Sequence, residues 1–309
     1  MKTLSINKIL VPIDFSKVSE NALQTAIAMC KRQFASLTIL YVVENSHYMF
    51  QPAAEAAFVL PQLIEAATEN IAKLAKSLRT KHDLVVNHLV QSGNPADEIC
   101  HTASSSGADL IVMGTHGVSG LREFFIGSNA YRVVKNASCP VMTIPGYNQW
   151  LDFKKILFPV RLIPHALDKY DFIRPVIRKN GASLLIAGLA QRNDPAGLNE
   201  MNALVDHLMS KIAEDDVICG SDVHYCENIS KQVLDVANLE KPDLIVISAT
   251  LDETIRDFFL GPYTQHIVNH SHFPVLSIRP ELTPNAGGML TQQILAEFDG
   301  LYQQNAIIT

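Results

Sequence analysis

The sequence lacks the features of a secreted, membrane-spanning or nucleic-acid-binding protein. Its five cysteines are an odd, scattered set without a Cys-x-x-Cys pair, which favours free thiols in a reducing cytoplasm over a disulfide framework. No apolar run approaches the roughly 20 residues that span a bilayer, and Met1–Ile6 lacks the layout of a signal peptide. The net charge is -6 and neither half carries a basic stripe. We therefore expect a cytoplasmic protein with no membrane and no nucleic acid among its partners.

Apolar residues, in contrast, are abundant. The chain of 309 residues is 48% hydrophobic and 18% charged, which supports a large core and suits about two domains. In the first half, short apolar strands alternate with helical patterns in the order β-α-β-α-β-α-β-α-β. This order predicts an α/β fold with a five-stranded parallel sheet covered by helices on both faces. Residues 45–61 are expected to form a loop or short helical excursion before a helix over 63–79.

The second half repeats the first. Ala35-Ser36-Leu37 matches Ala182-Ser183-Leu184 at an offset of 147, and Asp109-Leu110-Ile111 matches Asp243-Leu244-Ile245 at an offset of 134. The repeat predicts two tandem doubly wound domains. The smaller second offset predicts that the second copy is shorter between its second and fourth strands.

The repeat also sets the domain boundaries. We expect a nucleotide-binding domain over residues 1–146 and a second, degenerate domain over residues 151–281. Residues 282–309 extend beyond the repeat and include a short amphipathic helix predicted over 291–302.

A glycine motif follows the fourth strand. Gly114, Gly117, Gly127 and Ser128 give the spacing Gly-x2-Gly-x9-Gly-Ser, and a helical pattern begins there. Glycines tolerate positive φ and leave backbone N–H groups bare, while the helix N-terminus adds free donors and a positive dipole end. The motif predicts a phosphate cradle that is neither the Walker nor the Gly-x-Gly-x-x-Gly type. Asp14 follows the first strand, where such sheets place ligands; a helix-capping or turn role is the alternative.

The second copy differs at these positions. Gly127 is kept as Gly261, but the offsets bring other residues to the rest: Ser248 for Gly114, Leu251 for Gly117, Pro262 for Ser128 and Arg161 for Asp14. Proline has no N–H to donate, so the second copy is predicted to have lost this site. Because the repeated fold manages without Gly114 and Gly117, the motif is interpreted as functional. Arg161 either binds an anion or fills the pocket with a salt bridge.

With these residues assembled, the chain resembles the universal stress protein family, in two copies through about Pro280. The family's nucleotide-binding members carry Gly-x2-Gly-x9-Gly-Ser/Thr and an aspartate after the first strand. The resemblance implies ATP with Mg2+, with Asp14 on the ribose hydroxyls, the backbone of Val42 on adenine and the helix start on phosphate. The implied nucleotide-binding set is Pro12, Asp14, Val42, Gly114, Gly117, Gly127, Ser128 and Asn129. It also implies that Val141–Ile144 and Val275–Ile278 pair within one chain as a pseudo-dimer; a homodimer is the alternative.

We expect an ATP-binding nucleotide sensor of the stress response, with one competent site. No nucleophile–base pair is evident, so any ATPase activity would be slow. Alternatives are such a slow ATPase, a small-molecule or metal carrier acting through the second domain, and a flavodoxin-like electron-transfer protein. Two sets have partial metal-ligand character, although structural or surface roles are favoured: His266, His270 and His272, and Cys219, His224 and Cys226. His116 and Arg122, inside the motif, can either approach phosphate or remain in solvent.

Overall fold

The computed structural model describes residues 5–45, 53–115, 126–146, 148–163, 165–192, 194–249, 251–252 and 259–279. The first half alternates strands and helices as the sequence predicts. Its elements are β1 (Lys8–Pro12), α1 (Lys17–Gln33), β2 (Ser36–Glu44), α2 (Ala53–His82), β3 (Val86–Gly93), α3 (Pro95–Ser106), β4 (Leu110–Gly114), α4 (Ser128–Asn136) and β5 (Val141–Ile144).

The second half follows the same order, with a short two-stranded ribbon added. Its elements are β6 (Lys155–Arg161), α5 (Lys169–Asn180), β7 (Ser183–Gln191), α6 (Pro195–Ala213), β8 (Cys219–Cys226), α7 (Ile229–Glu240), β9 (Leu244–Ser248), β10 (Leu251–Asp252), β11 (Phe259–Leu260), α8 (Pro262–His270) and β12 (Val275–Ile278). The ribbon is the antiparallel pair β10–β11.

Ten strands form one sheet in the order β3-β2-β1-β4-β5-β12-β9-β6-β7-β8. Within each half the five strands are parallel, and each half has the strand order of a doubly wound fold. The halves meet where β5 and β12 pair antiparallel, with Met142 opposite Leu276. The expected α/β fold with parallel strands and flanking helices is confirmed.

The core consists of layers on both faces of this sheet. One apolar cluster runs continuously across both halves and includes Ile9, Ile71, Phe158 and Tyr170. On the other face each half has its own cluster, and Ile126 packs partly buried against both of them. The two halves therefore share core on both faces of the sheet.

Two expectations about helix lengths can be compared with the structure. Residues 45–61 are expected to form a loop or short helical excursion before a separate helix over 63–79; from Ala53 onward they are instead the start of that helix, because α2 begins there and continues through Pro61. Its first turns are rich in alanine, whose high helix propensity offsets the bond that the proline removes. The shortening of the second half falls in the helix after its second strand, which has 19 residues in α6 against 30 in α2.

Within the part of the chain that the structure describes, no helix is long and apolar enough to cross a membrane. The short helix expected over 291–302 lies outside the described residues.

The junction of the two halves makes a prediction about stability. Leu276 on β12 is fully buried, so Leu276→Ala should lower the free energy of unfolding by about 2–5 kcal/mol through lost apolar burial and the cavity left behind. The matched control is Leu239→Ala, at a side chain that is 79% exposed. This substitution should change the free energy of unfolding by less than about 0.5 kcal/mol. Urea unfolding followed by circular dichroism measures the stability of both variants. Equal unfolding midpoints would contradict the importance of β12 for the stability of the sheet.

Candidate functional site

The candidate site lies at the carboxyl ends of three neighbouring strands. Pro12 ends β1, Val42 lies near the end of β2, and Gly114 ends β4. The parallel register aligns these ends, because Pro12 pairs opposite Leu40, and Leu10 opposite Ile111. Chain connections diverge between β1 and β4, so this edge is the topological switch point where open α/β sheets bind ligands.

Asp14 is half-buried in the turn from β1 to α1. Its carboxylate accepts a hydrogen bond of 2.9 Å from the Ser16 N–H, and the Ser16 hydroxyl in turn accepts from the Ser19 N–H as the cap of α1. Phe15 between them has φ of 58°, a left-handed conformation unusual for a bulky residue, and its ring lies 5.5 Å from that of Tyr41. Asp14 thus has the turn role that the sequence left open, at a position that also faces the strand ends.

A backbone hydrogen bond joins the two described ends of the glycine motif. The Gly127 N–H donates to the Thr115 carbonyl at 2.7 Å, and the Thr115 N–H donates to Ile144 on β5 at 3.1 Å. The start of α4 is therefore fixed beside the end of β4. Gly127 is the N-cap of α4 and no side chain caps this helix.

The first turn of α4 presents polar groups to solvent. Ser128 and Asn129 are both exposed, and within the described part of the chain no side chain caps the N–H groups of this turn, which lie at the positive end of the helix. Gly127 itself has φ of -62°. Gly127 therefore does not use the positive φ that glycine tolerates. Gly117, His116 and Arg122 lie outside the described residues.

The second half holds α4 at both ends. At its start, the Ile126 N–H donates to Oδ1 of Asn269 on α8 at 3.2 Å. At its end, Arg279 after β12 donates from Nη1 to the Lys135 carbonyl at 3.0 Å and from Nη2 to the Ala137 carbonyl at 2.6 Å. An arginine at a helix C-terminus also complements the dipole. The phosphate-binding helix predicted for the first half is thus positioned by the second.

The corresponding edge of the second half has different chemistry. Ser248 ends β9, Pro262 begins α8, and the side chain of Leu251 is not described. Arg161 ends β6, where its Nη2 donates to the Ser248 carbonyl at 3.2 Å and its guanidinium carbon lies 3.6 Å from the centre of the Tyr263 ring. The salt bridge considered for Arg161 is absent among the described residues.

The two histidine and cysteine sets do not converge on a common point. The rings of His266 and His270 stack 4.4 Å apart, and His270 Nδ1 lies 2.8 Å from the His266 carbonyl. Cys219 contacts Met209, and Cys226 contacts the Ala190 carbonyl. Among the side chains that the structure describes, no group of three or more His, Cys, Asp or Glu has the arrangement to hold a metal ion.

Comparison with known proteins identifies the family. The sequence model of the universal stress protein family matches residues 5–145. A universal stress protein of Methanocaldococcus jannaschii is 36% identical over 137 residues, covering 44% of this chain and 81% of the relative. A universal stress protein of Bacillus subtilis is 31% identical over 145 residues, covering 45% of this chain and 98% of that relative. The chain belongs to the universal stress protein family.

A solved structure extends the likeness to the second half at the level of the fold. A universal stress protein from Archaeoglobus fulgidus superposes with a TM-score of 0.74 at 17% identity, covering 90% of this chain and all of that one. At this identity the match speaks for the fold alone, but it spans both halves of the ten-stranded sheet.

Several residues of these two edges are not recognisable as functional in the sequence. Asn269 and Arg279 reach α4 from more than 130 positions away in the chain, so no local pattern marks them. Lys169 is the exception. At the offset of 147 it corresponds to Ala22, and a lysine at a helical position that is apolar in the first half was a signal in the sequence; Ala22 is fully buried in the structure.

The hydrogen bonds from Arg279 to the end of α4 lead to a prediction. Arg279→Met should lower the free energy of unfolding by about 1–3 kcal/mol, because two carbonyls at the end of α4 lose a charged donor. Arg178→Met, at an exposed arginine of α5, is the control and should be close to neutral. Hydrogen exchange of the α4 amides gives a second readout. Unchanged protection of α4 in Arg279→Met would argue that these hydrogen bonds contribute nothing to the stability of this helix.

Proposed function

We propose that this universal stress protein binds ATP with Mg2+ at one site, at the carboxyl edge of β1, β2 and β4, and acts as a nucleotide sensor in the stress response. The observation that carries the proposal is the hydrogen bond from the Gly127 N–H to the Thr115 carbonyl. It sets the uncapped start of α4 beside the strand that neighbours Asp14. Free helix N–H groups at a topological switch point are a general means of binding phosphate.

The proposed roles follow from the chemistry of each residue. The Asp14 carboxylate accepts from ribose hydroxyls, and the backbone at Val42 bonds the adenine edge. Gly114 and Gly117 leave space for the ribose and phosphates, with Pro12 shaping the end of β1. Gly127, Ser128 and Asn129 donate to phosphate oxygens. Magnesium prefers oxygen ligands and keeps several waters, so the phosphates, the exposed Ser128 hydroxyl and the Asp14 carboxylate suit it.

We further propose that residues 151–281 are a second, degenerate copy of the nucleotide domain formed by residues 1–146. The strand orders β3-β2-β1-β4-β5 and β8-β7-β6-β9-β12 are the same, and the β5–β12 pairing gives the two copies the relation of a pseudo-dimer.

Free cysteines, three of them buried, suit a reducing compartment such as the cytoplasm.

Calorimetry of the whole chain with MgATP tests the nucleotide site. Asp14→Ala should weaken binding about tenfold or more, because a hydrogen bond to a charged group contributes about 1.5–3 kcal/mol and each 1.4 kcal/mol is tenfold. Asp14→Asn, which keeps an acceptor for the Ser16 N–H, separates loss of the charge from loss of the turn. Asp206→Ala, at an exposed aspartate of α6, is the control. Absence of MgATP binding by the wild-type chain would refute the proposal.

The contact between Asn269 and Ile126 gives a second test, which rests on the same site. Asn269→Leu removes the acceptor that holds the backbone ahead of Gly127. It should weaken ATP several-fold and leave adenosine unchanged, because only the phosphates would use α4. Asn269→Asp, which keeps the acceptor for the Ile126 N–H, should retain more of the ATP affinity than Asn269→Leu does.

Asn202→Leu is the matched control for Asn269→Leu, since Asn202 is exposed on α6. Equal losses for ATP and adenosine in Asn269→Leu would indicate a general structural defect. No change for either ligand would remove Asn269 from the site, while leaving the proposal for the Asp14 edge intact.

A further inference from the structure

The carboxyl edge of the second half contains two cations close together, Arg161 and Lys169. Both contact the last residue of β9: Arg161 Nη2 donates to the Ser248 carbonyl at 3.2 Å, and Lys169 Nζ lies 3.4 Å from the Ser248 hydroxyl. Lys169 is 3% exposed, on the first residue of α5. This edge is also a topological switch point, because the chain connections diverge between β6 and β9.

Neither cation has a carboxylate partner among the described residues. Lys169 donates to the carbonyls of Pro159 at 2.7 Å and Ala166 at 3.2 Å, and its Nζ lies 4.4 Å from the centre of the Phe158 ring. Its amine is therefore well contacted, but no carboxylate in the described part of the chain balances its charge. Asp168, the adjacent residue, instead lies 2.9 Å from His165 Nδ1. Burial lowers the pKa of Lys169 well below its ordinary value, and the positive charge of Arg161 lowers it further.

Arg161 is arranged to present its guanidinium. The group stacks on Tyr263, in the first turn of α8, and makes one hydrogen bond to the chain within the described part, through Nη2. Burial raises the pKa of Tyr263 to about 12, so its hydroxyl is neutral and supplies no negative charge to Arg161. An arginine remains charged at any physiological pH, and its planar fork suits a bidentate oxyanion.

We propose that this edge of the second half is a binding site for an oxyanion, a phosphate ester or a carboxylate, held by the Arg161 guanidinium, with Lys169 adding a second positive charge and Tyr263 beside it. A buried lysine beside a half-buried arginine, with no carboxylate partner among the described residues, is costly to charge, and an anion at this edge would remove that cost and hold Lys169 in its charged form. The positive dipole end of α8 acts in the same direction. At the offset of 147 Arg161 stands where the first half has Asp14, so a positive side chain replaces a carboxylate at this edge. The two halves would therefore take different ligands.

The first half shows that the scaffold accommodates an apolar side chain at the position of Lys169, which makes a test practical. At the offset of 147, Ala22 stands in the first half where Lys169 stands in the second, and Ala22 is fully buried. An apolar side chain at this position is therefore compatible with the scaffold. Lys169→Met keeps a similar length and removes the charge, and Arg161→Met does the same at the end of β6.

Thermal unfolding and calorimetry of the full chain, with inorganic phosphate or succinate against chloride at equal ionic strength, test the proposal. At least one of the two probes should raise the Tm of the wild-type chain; phosphate alone would indicate a phosphate ester, and succinate alone a carboxylate. Arg161→Met and Lys169→Met should each weaken that binding tenfold or more. Arg178→Met, at an exposed arginine of α5, should keep it.

Two outcomes would overturn the proposal. The first is a wild-type chain that neither phosphate nor succinate stabilises beyond chloride, which would make the cations a filler of the fold. The second is binding that persists in Arg161→Met, which would place the anion elsewhere, the start of α4 included. If Arg161→Met does not fold, Arg161→Lys retains the charge and loses the fork, and should bind the same probe measurably more weakly. Unchanged affinity in Arg161→Lys would contradict recognition by the guanidinium.

Discussion

The antiparallel pairing of β5 with β12 is the interaction on which the rest of the structure depends. Each strand has four residues, all of them buried, and the register places Met142 opposite Leu276. The Thr143 hydroxyl adds a bond of 3.3 Å to the Val275 carbonyl. A five-stranded sheet that ended at β5 would expose a short apolar edge with unpaired N–H and C=O groups. The second half covers that edge, and the two sheets become one.

The same pairing brings the second half into contact with α4, the helix of the first half that is proposed to bind phosphate. Arg279 follows β12 directly, so the register of that strand determines where the guanidinium meets the end of α4. Ile126 packs between the two outer clusters while its N–H is held by Asn269. A helix of nine residues makes few contacts of its own. Its placement beside Thr115 therefore depends on the second half as well as on the motif.

The sequence predicted the fold well because the signals for it are local. Alternating apolar strands and helical patterns, repeated at constant offsets, specified the parallel strands and the flanking helices. The error in the start of α2 has a local cause too, because the helix begins in an alanine-rich turn and continues through Pro61. The sites were less predictable, because they depend on long-range contacts. Nothing near Asn269 or Arg279 in the sequence indicates α4, and the stacking of Arg161 on Tyr263 joins two elements about a hundred residues apart.

Helix α8 connects the two edges of the molecule. Tyr263 in its first turn lies under the Arg161 guanidinium, and Asn269 near its end holds the backbone that precedes α4. If an anion at Arg161 shifted this short helix, the shift would reach the start of α4 through the contact of Asn269. Such coupling between two ligands must be reciprocal, and it requires that each ligand bind one position of α8 better than another. The difference between the two proposed sites would then be useful, because a sensor with two different sites can respond to one ligand according to the level of the other.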